Sequence, residues 1–167
     1  MIKEILFTIF PTLIIIILLA MLIKIVTTYG VRNILKSFGI GLIIIIPALF
    51  TMKIVGIMLT ITLSITPPLI MFRILSALNE ELYKYWAIKV RGNINSTITG
   101  LFVGAGFALS ETLYLTLGED LNALHRSYTT LPLHIITAII LSLSIKYKRK
   151  SITILAVLVH LIYNLRP

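Results

Sequence analysis

Aliphatic runs recur along this chain at lengths that suit lipid rather than a water-facing surface. Residues 13–19 read Leu-Ile-Ile-Ile-Ile-Leu-Leu and residues 42–46 read Leu-Ile-Ile-Ile-Ile, each inside a longer apolar segment. A bilayer interior offers no water to the backbone, so segments of this kind satisfy their own N–H and C=O groups as helices. A span needs about 20 apolar residues, and the 167-residue chain leaves no room for a soluble domain beside such a bundle. Hydrophobic residues make up 58% and charged residues 13%, against roughly a quarter charged in soluble domains. The predicted class is all-α, a polytopic transmembrane helical bundle.

The apolar segments set out the organisation. The first covers 5–26; it is too long for a signal-peptide core, lacks a clear cleavage site and reads as a retained span. The second covers 37–53 and contains Pro47. Residues 54–66 are apolar but short, and end at Pro67-Pro68, which breaks a helix; they fit a short span, a re-entrant segment or an extension of the second span. Further spans cover 69–90, 97–117, 128–145 and 151–165. The basic loop 146–150 (Lys146, Lys148, Arg149, Lys150) is the strongest cytoplasmic signal. Alternation then places 118–127, with Glu119 and Asp120, outside and 89–96 inside. The loop holding Arg32 and Lys36 joins the inner side if 37–66 crosses once, which favours six spans over seven. Residues 1–66 hold N-terminal spans without a diagnostic motif, and 67–167 a four-helix core.

The formal charge of +9 is distributed at helix ends, as topology signals and contacts for anionic lipid. No basic patch interleaved with aromatics appears, so no nucleic-acid partner is expected. The chain has no cysteine, which excludes disulfides, thiolate chemistry and cysteine-ligated metal.

Against this background, Glu80 and Glu81 stand side by side within an apolar segment, and Glu111, His134 and His160 occupy the middle of three others. An ionisable group at bilayer depth costs about 3 kcal/mol even on the lenient insertion scale, so a set of them implies function or tight pairing. Counted from the helix ends, Glu80 lies roughly 13 Å deep, His160 roughly 15 Å, His134 roughly 18 Å and Glu111 roughly 21 Å. Four helices therefore place polar groups in one band near the centre of a ~30 Å core. Lys84 follows Glu80 by four residues and Glu81 by three, within pairing reach of either. Gly100 and Gly104 share the face that continues to Phe107 and Glu111, a small-residue stripe that brings Glu111 against a neighbouring helix. His160 and Asn164 also share a face. Glu119, Asp120 and His125 read as a solvated loop, and Tyr83, Tyr85 and Trp86 as packing or interfacial anchors. Such a band suits water activation: a carboxylate as general base, a histidine to hold or move a proton, and N–H donors for an oxyanion.

At these residues the chain resembles the PrsW family of glutamate-type intramembrane proteases, which is related to the CAAX-prenyl-type proteases. Glu80-Glu81-Leu82-Tyr83-Lys84 is similar to the EExxK motif, and Gly104 through Glu111 to a glycine-rich FAxxE motif. Arg126 through His134 is similar to the R…H segment, and His160-Leu161-Ile162-Tyr163-Asn164 to HxxxN. The resemblance implies hydrolysis of membrane-embedded or juxtamembrane peptides, with Glu80 as general base and Glu81 as its partner. It implies that Lys84 holds the pair's charge, that Glu111 and His134 help bind the water or a metal, and that His160 and Asn164 stabilise the oxyanion. Phe107 and Arg126 are supporting residues. The reading needs no cofactor; zinc held by Glu81, Glu111, His134 and His160 is the alternative. One departure is Thr112, where many relatives carry asparagine. Two other functions compete: a proton or ion conductor, since midplane Glu and His suit a relay, and an inactive relative that binds hydrophobic peptides. The expected location is the cytoplasmic membrane.

Overall fold

The computed structural model describes residues 17, 19–63, 68–92, 96–117 and 123–165, without the side chains of residues 63 and 123–127. Most of the predicted first span, and Glu119 and Asp120, lie outside the described residues. The rest is helical: α1 (Leu19–Tyr29), α2 (Val31–Leu63), α3 (Leu69–Arg91), α4 (Ser96–Leu117), α5 (Ala123–Tyr147) and α6 (Lys150–Asn164). Segment 37–63 belongs to one element. Residues 31–63 form one 33-residue helix with Pro47 inside it, so 54–63 extends the second span rather than crossing again or re-entering.

Three helices among the described residues are long and apolar enough to cross a membrane: Val31–Thr62, Ser96–Leu117 and Tyr128–Tyr147. The expected six spans are thus not met by length and composition, for identifiable reasons. With 15 residues, α6 reaches only about 23 Å. With 23 residues, α3 is long enough but carries Glu80, Glu81 and Lys84 at its centre. The described part of the first segment, α1, is shorter still.

Helix α3 is the hub, packing against α2, α4, α5 and α6, while α4 is gripped between α2 and α5. Glycines permit this grip. A Cβ at Gly104 would lie 2.5 Å from the backbone oxygen of His134 on α5, and one at Gly100 would lie 2.6 Å from that of Ala138. On the opposite face a Cβ at Gly106 would collide with the backbone oxygen of Phe38 on α2. The predicted small-residue stripe therefore does what its spacing suggests: it seats α4 on α5 and carries Glu111 to His134.

The apolar core joins Ile44, Ile45 and Ala48 of α2 to Ala87 and Ile88 of α3, Val103 and Phe107 of α4, Ala138 and Leu141 of α5, and Ala156 of α6. Yet the largest fully buried side chains include Lys84, His134 and Glu81. Large aliphatic residues point outward instead, among them Ile46, Ile61, Leu82 and Ile162. An apolar exterior around a polar centre is the arrangement a bilayer favours.

Candidate active site in the helix bundle

Lys84 sits at the centre of the polar band with no solvent exposure. An ammonium has three hydrogens, and each has an acceptor: Glu81 Oε1 at 2.5 Å, Thr137 Oγ1 at 2.9 Å and His134 Nδ1 at 3.1 Å. The ring of Phe107 lies 5.1 Å from Nζ and adds a cation–π contact. Because His134 Nδ1 accepts from Lys84, its Nε2 carries the hydrogen and donates to Glu111 Oε2 at 2.6 Å. A neutral imidazole in this tautomer has both nitrogens committed.

The two adjacent glutamates differ sharply. Glu81 is buried, and its Oε1 receives Lys84 and also His160 Nδ1 at 2.6 Å. Glu80 is more open, with 15% of its side chain exposed. Its Oε1 accepts a 2.5 Å hydrogen bond from Ser76 Oγ one turn earlier, which turns Oε2 towards His160 Nε2, 3.6 Å away. Neither Glu80 Oε2 nor Glu81 Oε2 has a hydrogen-bond partner, although both are buried. Buried carboxylate oxygens are seldom left in that condition, and water, an ion or a reactant completes them. His160 is thus held between the two carboxylates, and its ring meets that of His134 edge-on at 5.2 Å.

The structure brings together Glu80, Glu81, Lys84, Phe107, Glu111, His134 and His160 from α3, α4, α5 and α6. Asn164 lies at the margin, where its Nδ2 donates to the backbone oxygen of Arg73 at 3.4 Å. The side chain of Arg126 is outside the described residues. Thr112 does not substitute for an asparagine at the site, since its hydroxyl donates to Ala108 O of its own helix at 2.9 Å. Sequence reasoning missed Ser76 and Thr137. Both sit one helical turn from a residue it did find, Ser76 four before Glu80 and Thr137 three after His134, and that spacing is the signal that reveals them.

The group whose ligand atoms converge, all within 4.8 Å of one another, is Glu80, His134 and His160. It shares His134 and His160 with the set expected for a zinc alternative, and has Glu80 where that set has Glu81 and Glu111. Glu81 is clamped by Lys84 and His160 Nδ1, and Glu111 is bound to His134 through Nε2. Two histidines and a carboxylate are a donor set zinc accepts. To join it here, His134 must give up either Lys84 or Glu111, beside a buried ammonium.

No family model, curated protein or solved structure matches the chain.

Proposed function

We propose that this chain is an intramembrane endopeptidase that hydrolyses membrane-embedded or juxtamembrane peptides with water activated by Glu80. The observation carrying this reading is the division of labour within the Glu80–Glu81 pair. One carboxylate is immobilised by Lys84 and His160, and the other presents a buried, unbonded Oε2 towards His160 and His134. The ordered resemblance to the PrsW family supports the same assignment.

In this mechanism Glu80 Oε2 takes a proton from water as the water oxygen bonds to the scissile carbonyl carbon. His160, held by Glu81 through Nδ1, is placed to donate to the tetrahedral oxyanion through Nε2. The C–N bond then breaks, and the proton held by Glu80 passes to the leaving nitrogen. Glu81, Lys84, Thr137, Glu111 and His134 hold the geometry. Asn164 borders the site and assists once substrate draws its amide from Arg73 O. Under this proposal α3 and α6 complete the four-helix core with their polar faces turned inward, and loop 146–150 faces the cytoplasm. No metal is required.

The runner-up is proton conduction, favoured by the unbroken line of polar contacts Glu111–His134–Lys84–Glu81–His160–Glu80 across four helices. The ammonium at its middle, with every hydrogen committed, argues against a relay. The deciding experiment is cleavage of a panel of single-span peptides in liposomes by wild type, Glu80→Gln and His160→Ala, with and without a chelator. Cleavage lost in both variants and kept with chelator supports the proposal. Loss with chelator and recovery with zinc assigns a metalloprotease. Absence of cleavage with proton flux abolished by Glu80→Gln assigns the relay.

A further inference from the structure

The basic end of the bundle holds a second concavity, remote from the polar band. A cavity of about 610 Å³ opens between the end of α3, the start of α4 and the end of α5, lined by Ile88, Lys89, Gly92, Ser96, Ile145, Lys146 and Lys148. Three lysines thus line one cavity, the Lys146 ammonium lying 5.5 Å from the Tyr147 ring. Those from the α5–α6 turn are set by its backbone: Lys148 adopts a left-handed φ of 53°, and the turn is closed by Lys148 N–H to Ile145 O at 3.3 Å and Arg149 N–H to Ser144 O at 3.1 Å.

Nothing among the described residues neutralises them. The described acids are Glu80, Glu81 and Glu111, and all three belong to the polar band. Glu81, the nearest in sequence to Lys89, is two helical turns and roughly 12 Å away along α3. The cavity also contains a hydrogen-bonding group without a partner, since the hydroxyl oxygen of Ser96 is buried there and makes no hydrogen bond. Ser96 is the first residue of the 22-residue α4, so backbone N–H groups of its first turn, which have no acceptor within the helix, adjoin the same place. Lysine ammoniums, a free hydroxyl and helix N–H groups are the donors that phosphate oxygens take.

We propose that this cavity binds the phosphate group of an anionic phospholipid. The site lies at the helix ends, where headgroups reside, and Ile88 and Ile145 give its lining an apolar part. Basic pockets between helices at a membrane face are known to hold acidic headgroups. The inference is independent of the catalytic reading, because it uses none of the residues of the polar band.

The test uses the full chain purified in dodecyl maltoside, with thermal stability and native mass spectrometry as readouts. Phosphatidylglycerol, phosphatidylcholine and inorganic phosphate are titrated separately. The expected result is saturable stabilisation by phosphatidylglycerol and none by phosphatidylcholine. The triple variant Lys89→Gln/Lys146→Gln/Lys148→Gln loses affinity by about fivefold per lysine, roughly a hundredfold in all. Ser96→Ala, which leaves every charge in place, loses severalfold. A control triple, Arg32→Gln/Lys36→Gln/Arg149→Gln, removes as many charges outside the cavity and keeps the affinity. Equal losses in the two triples, or wild-type affinity in the cavity triple and in Ser96→Ala, overturn the site. Saturation by inorganic phosphate at the same concentrations as lipid overturns the lipid assignment. Melting without lipid shows that each variant is folded.

Discussion

Replacing Lys84 by methionine isolates what holds the polar band together. Both Lys84 and Glu81 have fully buried side chains, so no solvent reaches in to replace a lost partner. The substitution removes three hydrogen bonds of a charged donor and leaves Glu81 with His160 alone. Breaking one side of a buried ion pair costs about 3–5 kcal/mol. Glu81→Gln breaks the same pair from the other side and belongs in the same range. Lys84→Met/Glu81→Gln removes both charges, and the glutamine keeps an acceptor for His160 Nδ1. The double variant is therefore expected to cost at least about 2 kcal/mol less than the two single losses added together, a coupling typical of contacting residues. Reversible unfolding in mixed detergent micelles, followed through the single tryptophan Trp86 two residues from Lys84, measures all four proteins. Additive losses would refute the idea that Lys84 acts chiefly as the counter-charge of Glu81.

Two further outcomes follow from contacts beyond the resemblance. Ser76→Ala frees Glu80 Oε1 and lets the carboxylate rotate. It should lower kcat for peptide cleavage about tenfold, the value of one hydrogen bond to a charged group, with KM unchanged; a change in KM alone would exclude a positioning role. Gly104→Leu places a side chain against the backbone of α5 beneath His134, and overpacking of this kind costs about 1–3 kcal/mol. Melting of the variant in micelles checks the cost, and a wild-type melting temperature would show that α4 and α5 are not in the close contact described.

How far the sequence foretold this arrangement depends on the length scale. The four polar positions could be placed in one band because helical rise converts residue number to depth, and the structure brings Glu111 against His134 and Glu81 against His160. The continuation of α2 through 54–63 was open in sequence, since an apolar stretch of that length carries no signal for or against a break. The division between Glu80 and Glu81 came from the resemblance alone and not from helical phase. Neighbours in a helix differ by 100° in direction, and which faces Lys84 or His160 depends on how α5 and α6 pack against α3. Thr112 shows the converse: its hydroxyl had a short-range option, the carbonyl one turn back, and took it. Span counting falls short at α3 because Glu80, Glu81 and Lys84 sit at the centre of an otherwise long enough helix, and at α6 because that helix has only 15 residues.

That conflict has an energetic resolution. Under the proposed function, with α3 as a span, Glu80, Glu81 and Lys84 together place on it a burden of roughly 9 kcal/mol, at about 3 kcal/mol each. Relief comes from Thr137 and His134 on α5 and His160 on α6, all later in the chain. The polar face of α3 is complete only when those helices have packed, so the site and the bundle form one energetic unit. Within it one member stands apart. Among the described residues Glu80 takes its one hydrogen bond from Ser76 on its own helix, and its Oε2 is unbonded, so under the proposed function it contributes reactivity more than cohesion. Neutralising a group of this kind commonly leaves stability unchanged or raises it. Glu80→Gln should therefore unfold within about 1 kcal/mol of wild type or later, while Glu81→Gln unfolds several kcal/mol earlier. Equal destabilisation by the two would mean that both carboxylates are structural, and the assignment of Glu80 as the base would lose its physical ground.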